Sequence, residues 1–136
     1  MKFNMLLLSA LLAPALHAEP IISEYVEGSA NNKALEIYNP DTAPIDLAGY
    51  SIKMFFNGGV TARRTVNLQG ILQPGKTLVI TDSAANPTLA AKGNMTMPTG
   101  VFNGDDAIGL YKGSTLIDVF GQIGMDPGTG WGTTPN

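Results

Sequence analysis

The sequence predicts an all-β chain, a sandwich of about seven to nine short strands with little helix. Three observations carry this. Apolar residues alternate with polar ones in short runs, turn-forming residues separate those runs, and the 136 residues include 16 glycines and nine prolines. Successive side chains on a strand point to opposite faces, so period-two alternation marks a half-buried strand.

Taken in order, Leu35, Ile37 and Asn39 alternate with Ala34, Glu36 and Tyr38 until Pro40 stops the run. Tyr50, Ile52 and Met54 alternate with Ser51, Lys53 and Phe55, and Leu78 and Ile80 with Thr77, Val79 and Thr81. Ile108 and Leu110 share one face, as do Ile117 and Val119 in the next run. Asn57-Gly58-Gly59, Pro74-Gly75, Asn103-Gly104-Asp105 and Lys112-Gly113-Ser114 supply the turns. The last of these predicts a hairpin between 108–111 and 115–120. Gly75, Gly104 and Gly113 are the expected positive-φ positions, where a Cβ would clash. A single helix of one or two turns is expected within Ser83–Lys92, with Asn86-Pro87 as cap and first-turn residue.

Residues 1–18 read as a secretory signal peptide. Lys2 is the only charge before Glu19, Met5–Leu12 form a short apolar run, and Ala18 offers a small residue at the cut. The run is shorter than the roughly 20 residues a membrane-spanning helix needs. The expected mature chain is therefore residues 19–136, one exported domain (extracellular or periplasmic) without a membrane span. Cleavage removes one lysine, no acid and the only histidine, His17, so the product is more acidic than the whole sequence at −3. An acidic domain is poorly suited to coating phosphate backbones. Without cysteine, it has neither a disulfide framework nor a thiol nucleophile.

The ordered set of motifs resembles the lamin tail domain, in the form found at the N-terminus of secreted bacterial nucleases. Ile21–Ser29 with Asn31–Asn39 is similar to its first two strands, and Asp46-Leu47-Ala48-Gly49-Tyr50 to its second signature. Phe102–Lys112, Val119–Gly124 and Asp126-Pro127-Gly128 through Trp131-Gly132 are similar to its C-terminal half. The resemblance implies an immunoglobulin-like β-sandwich and a non-catalytic interaction or targeting module over 19–136. It also implies a downstream partner domain of the endonuclease/exonuclease/phosphatase fold, a metal-dependent phosphodiesterase whose catalytic residues lie beyond position 136. The family's basic final strand has no counterpart before Asn136, so a truncated frame or fragment with an open sheet edge is expected. A stand-alone module for a cell-surface polysaccharide or protein is the alternative, and nuclease activity in the chain itself a more distant one.

Several residues are candidates for chemistry. Asp105 and Asp106, with Asp118 and Asp126 further on, are the candidate ligands of a structural Ca²⁺, since hard cations take several oxygens on loops. Their spacing matches no EF-hand, and a turn whose aspartates bond their own backbone explains them more simply. No other cofactor is expected. Glu24, Glu27 and Glu36 lack the aromatic platform of a glycosidase cleft and read as strand decoration. Arg63 and Arg64, with Lys53 and Lys76, are candidates for weak nucleic-acid contact, a reading raised by the family resemblance. On a strand through 61–67 the two arginines would point to opposite faces. Phe55-Phe56 cannot both face inward on one strand, so one is expected to be exposed or under a loop. Together with Trp131 on an extended tail, they are the candidate contact residues. Asn94-Met95-Thr96 matches a glycosylation sequon by chance in a bacterial-looking chain.

One prediction concerns the leader. N-terminal sequencing of the chain exported by a bacterial host is expected to begin at Glu19, and a product that retains Met1 would refute processing.

Overall fold

Alternation becomes architecture in the computed structural model, which describes residues 17–132; most of the expected leader, residues 1–16, and residues 133–136 lie outside the described residues. The strands in chain order are β1 (Ile21–Glu27), β2 (Lys33–Tyr38), β3 (Ile45–Asp46), β4 (Tyr50–Phe55) and β5 (Arg64–Asn67). They continue as β6 (Ile71–Leu72), β7 (Thr77–Asp82), β8 (Met95–Met97), β9 (Ala107–Lys112) and β10 (Thr115–Phe120). One four-stranded sheet has the order β1-β2-β7-β8 and the other β10-β9-β4-β5, while β3 and β6 pair alone. The ten strands exceed the expected number because β3 and β6 have two residues each, too few to show a period.

The inward faces are the expected ones. Leu35, Ile37 and Ile80 from the first sheet meet Ile52, Met54, Ile108 and Leu110 from the second, each at most 1% exposed. Burying a side chain of this kind contributes about 1.5–3 kcal/mol, which is how a cysteine-free sandwich holds. All pairings are antiparallel except β7 with β8. Parallel neighbours need a crossover, and here it carries a short helix, α1 (Pro87–Ala90), the only one among the described residues. The Asn86 side chain caps it by accepting from Leu89 N at 2.9 Å, at the expected place but over a single turn.

Three expectations are corrected. Gly75 and Gly113 adopt positive φ but Gly104 does not; it is glycine for space, because a Cβ there would lie 2.8 Å from Glu27 Oε2 and 3.1 Å from Thr129 O. In β10 a bulge between Leu116 and Asp118 breaks the alternation. Ile117 thus packs against the core, whereas Val119 is 38% exposed. The tail is not loose either: Trp131 N donates to Gly104 O at 3.0 Å.

The end of the sandwich at the β9–β10 hairpin is closed by polar side chains. Asn39 is fully buried, and its Nδ2 donates to Ala43 O and Leu72 O at 3.0 and 2.9 Å. Nearby, Glu19 accepts from the Tyr50 hydroxyl and from Lys112 Nζ, the latter at 3.0 Å. The Tyr50 hydrogen bond, and then Lys112, hold the Glu19 carboxyl below its ordinary range. A carboxylate with a lowered folded-state pKa stabilises the fold above its unfolded pKa and loses that contribution as pH falls through the folded value.

Thermal melts are accordingly expected to show a loss of stability below about pH 4 that is smaller in Glu19→Gln. Parallel pH profiles for the two proteins would remove the clamp from the account.

Candidate functional site

At the opposite end, the β1–β2 turn, the end of β7, the β4–β5 loop and the loop leading into β9 converge. Two features of the sequence force the β4–β5 loop into a tight shape. Asn57 and Gly58 are both left-handed, with φ of 48° and 69°. At Gly58 a Cβ would also stand 2.9 Å from Asp126 N, so the loop presses on the C-terminal arm.

Asp106 ties these segments together. It is 3% exposed. Its Oδ1 accepts from Asn57 N at 3.0 Å and its Oδ2 from Asn103 N at 2.9 Å. Its carbonyl accepts from Trp131 Nε1 at 2.9 Å. Burial pushes the carboxyl pKa up; the two backbone N–H groups pull it down, and Asp105 and Glu27 add further upward pressure. Beside it, the Tyr25 hydroxyl lies 3.0 Å from Glu27 Oε2 and 3.1 Å from Asn103 O. The Tyr25 ring stacks on Phe120 with centroids 4.0 Å apart, and burial followed by the Glu27 contact raises its pKa.

Asp105 and Asp106 differ in their partners: Asp105 Oδ1 is buried without a hydrogen-bond partner among the described residues. Both Asp106 oxygens are occupied by backbone donors, and among the described residues no three acidic, histidine or cysteine side chains group around one point. Ca²⁺ takes six to eight oxygen ligands. Asp118 is spent elsewhere, accepting from Ile22 N at 2.8 Å, and Asp126 accepts from Gly128 N at 2.7 Å.

Two clefts open beside this knot. One, of about 260 Å³, is lined by Asn31, Lys33, Asp82, Phe102, Asn103 and Asp106 among others. The second, of about 700 Å³, is lined by Gly59, Val60, Thr61, Arg63 and Arg64. Phe56 and Asn57 line both, so the clefts adjoin.

The arginines reach the same cleft because β5 starts only at Arg64. Arg63 precedes the strand, with its N–H bonded to Met54 O at 2.8 Å, so strand alternation does not separate the pair. Neither guanidinium has an ion-pair or hydrogen-bond partner among the described residues. Phe55 is 5% exposed and near Tyr111, at 6.4 Å between centroids, so it offers no contact surface. Phe56 is half-buried against the core yet lines both clefts. Trp131 is half-buried, packed so closely on Gly121 that a Cβ there would stand 2.5 Å away. Lys53 sits over the Tyr111 ring at 4.4 Å. Glu24 and Glu36 do face each other across β1 and β2, with Glu36 Oε1 accepting from Ser23 Oγ at 2.7 Å.

Sequence reasoning missed Asn31, Lys33, Asn57, Asp82 and Asn103. Two of these carried a signal. Asp82 continues the inward Leu78–Ile80 face, and Lys33 precedes the inward Leu35–Ile37–Asn39 face. Inward polar residues at strand ends are expensive to bury unpaired and so mark places where the core opens.

Comparison with protein families gives one match, to the lamin tail domain over residues 14–124. No curated protein matches the chain.

The knot yields a prediction. Asp106→Ala removes two hydrogen bonds to a buried carboxylate and leaves two donors short of a partner, at a cost of about 3 kcal/mol in urea denaturation. Trp131 is the only tryptophan, so its emission should shift to the red as the arm detaches. An unchanged midpoint and spectrum would refute the role given to Asp106.

Proposed function

The chain belongs to the lamin tail domain family, and from that premise we propose that it is an exported recognition module acting through the loop end of its sandwich. The family is one of non-catalytic interaction domains. The observation that carries the reading is the pair of arginines, unpartnered among the described residues, gathered into one cleft next to a second cleft with polar walls. Guanidinium groups free of intramolecular acids remain available to an external anion.

The finer reading is that the module forms the N-terminal part of an extracellular nuclease, with the phosphodiester chemistry in a downstream partner domain. Its support is the order of the motifs behind a leader-like start. Binding by this module would then hold the enzyme near its target, raising the local concentration of the second site. Export is part of the same proposal. The Glu19 clamp lies immediately after the expected cut, so cleavage there would leave it in place.

The test is DNA degradation by the purified chain with Ca²⁺ and Mg²⁺, against an EDTA control. No cleavage is expected. Metal-dependent cleavage that disappears in an Asp105→Asn/Asp106→Asn double variant with its fold intact would overturn the non-catalytic assignment and place an active site on that turn.

A further inference from the structure

The two clefts differ in the chemistry they can satisfy, and that difference narrows the ligand. In the larger one, Arg63 and Arg64 are both exposed and unpartnered among the described residues. A guanidinium presents a planar fork of donors that matches a carboxylate or phosphate. In the smaller one, Asp82 is 1% exposed, with Oδ1 accepting from Ala84 N at 2.8 Å. Its Oδ2 is buried without a hydrogen-bond partner among the described residues. A buried carboxylate oxygen left unpaired is costly, and Asp82 lines the cleft. The side-chain amides of Asn31, Asn57 and Asn103 line the same cleft and form no hydrogen bond among the described residues. Each can both donate and accept, which is what a hydroxyl group requires.

We propose that the adjoining clefts bind an acidic sugar, a hydroxyl-bearing ring that carries a carboxylate or a phosphate. The anion pairs with Arg63 and Arg64. The hydroxyls meet the asparagine amides and the Asp82 wall, and Phe56, which lines both clefts, offers an apolar surface to the ring. A nucleic acid fits less well. Within a DNA strand the sugars carry no free hydroxyl, so beyond the phosphate on the arginines nothing would answer the asparagine amides of the adjoining cleft. A sugar polymer presents hydroxyl donors where the cleft offers acceptors.

The inference rests on the recognition-module reading and names its ligand class. The test is affinity electrophoresis of the purified chain through gels containing polygalacturonate, phosphomannan or neutral dextran, with single-stranded DNA in a fourth. Retardation by an acidic glycan but not by dextran is expected; polygalacturonate alone assigns a carboxylate, phosphomannan alone a phosphate. Arg63→Ala/Arg64→Ala should weaken retention about tenfold or more, and Asn31→Ala several-fold from the other cleft. All three substitutions lie at exposed positions, and circular dichroism verifies the fold. Retention by DNA that is lost with the arginines but indifferent to Asn31→Ala would overturn the sugar assignment. So would failure of both acidic glycans to retard the chain. Either failure leaves the non-catalytic reading to be judged separately by the DNA-degradation assay.

Discussion

The loop end of this sandwich depends on one buried carboxylate. Asp106 receives the backbone N–H groups of Asn57 and Asn103 and, through its carbonyl, the indole of Trp131. Burying a charge is unfavourable unless it is hydrogen-bonded, and the upward shift of its pKa reflects the desolvation. Hydrogen bonds to a charged acceptor are about twice as strong as neutral ones, and they offset part of that penalty here. The consequence is geometric. The β4–β5 loop, the loop before β9 and the C-terminal arm are fixed relative to one another, and the two clefts are the spaces left between them. Asp106 therefore belongs to the scaffold, although it lines one of the clefts.

The two ends of the sandwich divide the work. At the hairpin end the buried or clamped polar groups are answered within the chain: Asn39 by Ala43 and Leu72, and Glu19 by Tyr50 and Lys112. At the loop end Lys33 is tied to Gly28 O and Glu27, but Asp82 Oδ2 and both arginines have no partner among the described residues. Overall charge would place an anion elsewhere, since the chain is acidic. Remote charges, however, are screened over about 8 Å at physiological salt. The arginines thus act locally, and the polar groups of the adjoining cleft set what else a ligand must carry.

How much of this the sequence disclosed depended on whether the signal was periodic. β2, β4, β7 and β9 were legible because Leu35–Ile37, Ile52–Met54, Ile80 and Ile108–Leu110 keep strict alternation and all fall in the core. β10 was legible as a strand but not in its facing, because a bulge inserts a residue without any special residue type and turns Ile117 inward. The arginines were read as opposed because the start of β5 was placed a few residues early. Strand boundaries follow hydrogen bonding, which composition does not reveal. Asp106 was read as a turn residue bonding nearby backbone, and one of its contacts, Asn103 N, is of that kind. The other, Asn57 N, comes from a loop 49 residues away and no local pattern encodes it. Phe55 stayed hidden from solvent on the outward face, where alternation alone expects exposure.

The sheet edge raises the same contrast between local and distant causes. An open edge is a template for pairing with another chain, and β1 and β10 are both edge strands. Each carries a bulge, between Ile22 and Glu24 in β1 and between Leu116 and Asp118 in β10, and bulges disrupt the regular ladder an incoming strand would need. The two edges also turn toward each other, because Ile22 N donates to the Asp118 carboxylate and Tyr25 stacks on Phe120. An outward backbone donor on β1 is therefore satisfied by a side chain of the opposite sheet. The carboxylate introduces a charge that an intruding strand would have to displace. Edge protection and closure of the sandwich on this side come from the same few residues, and Asp118 serves both.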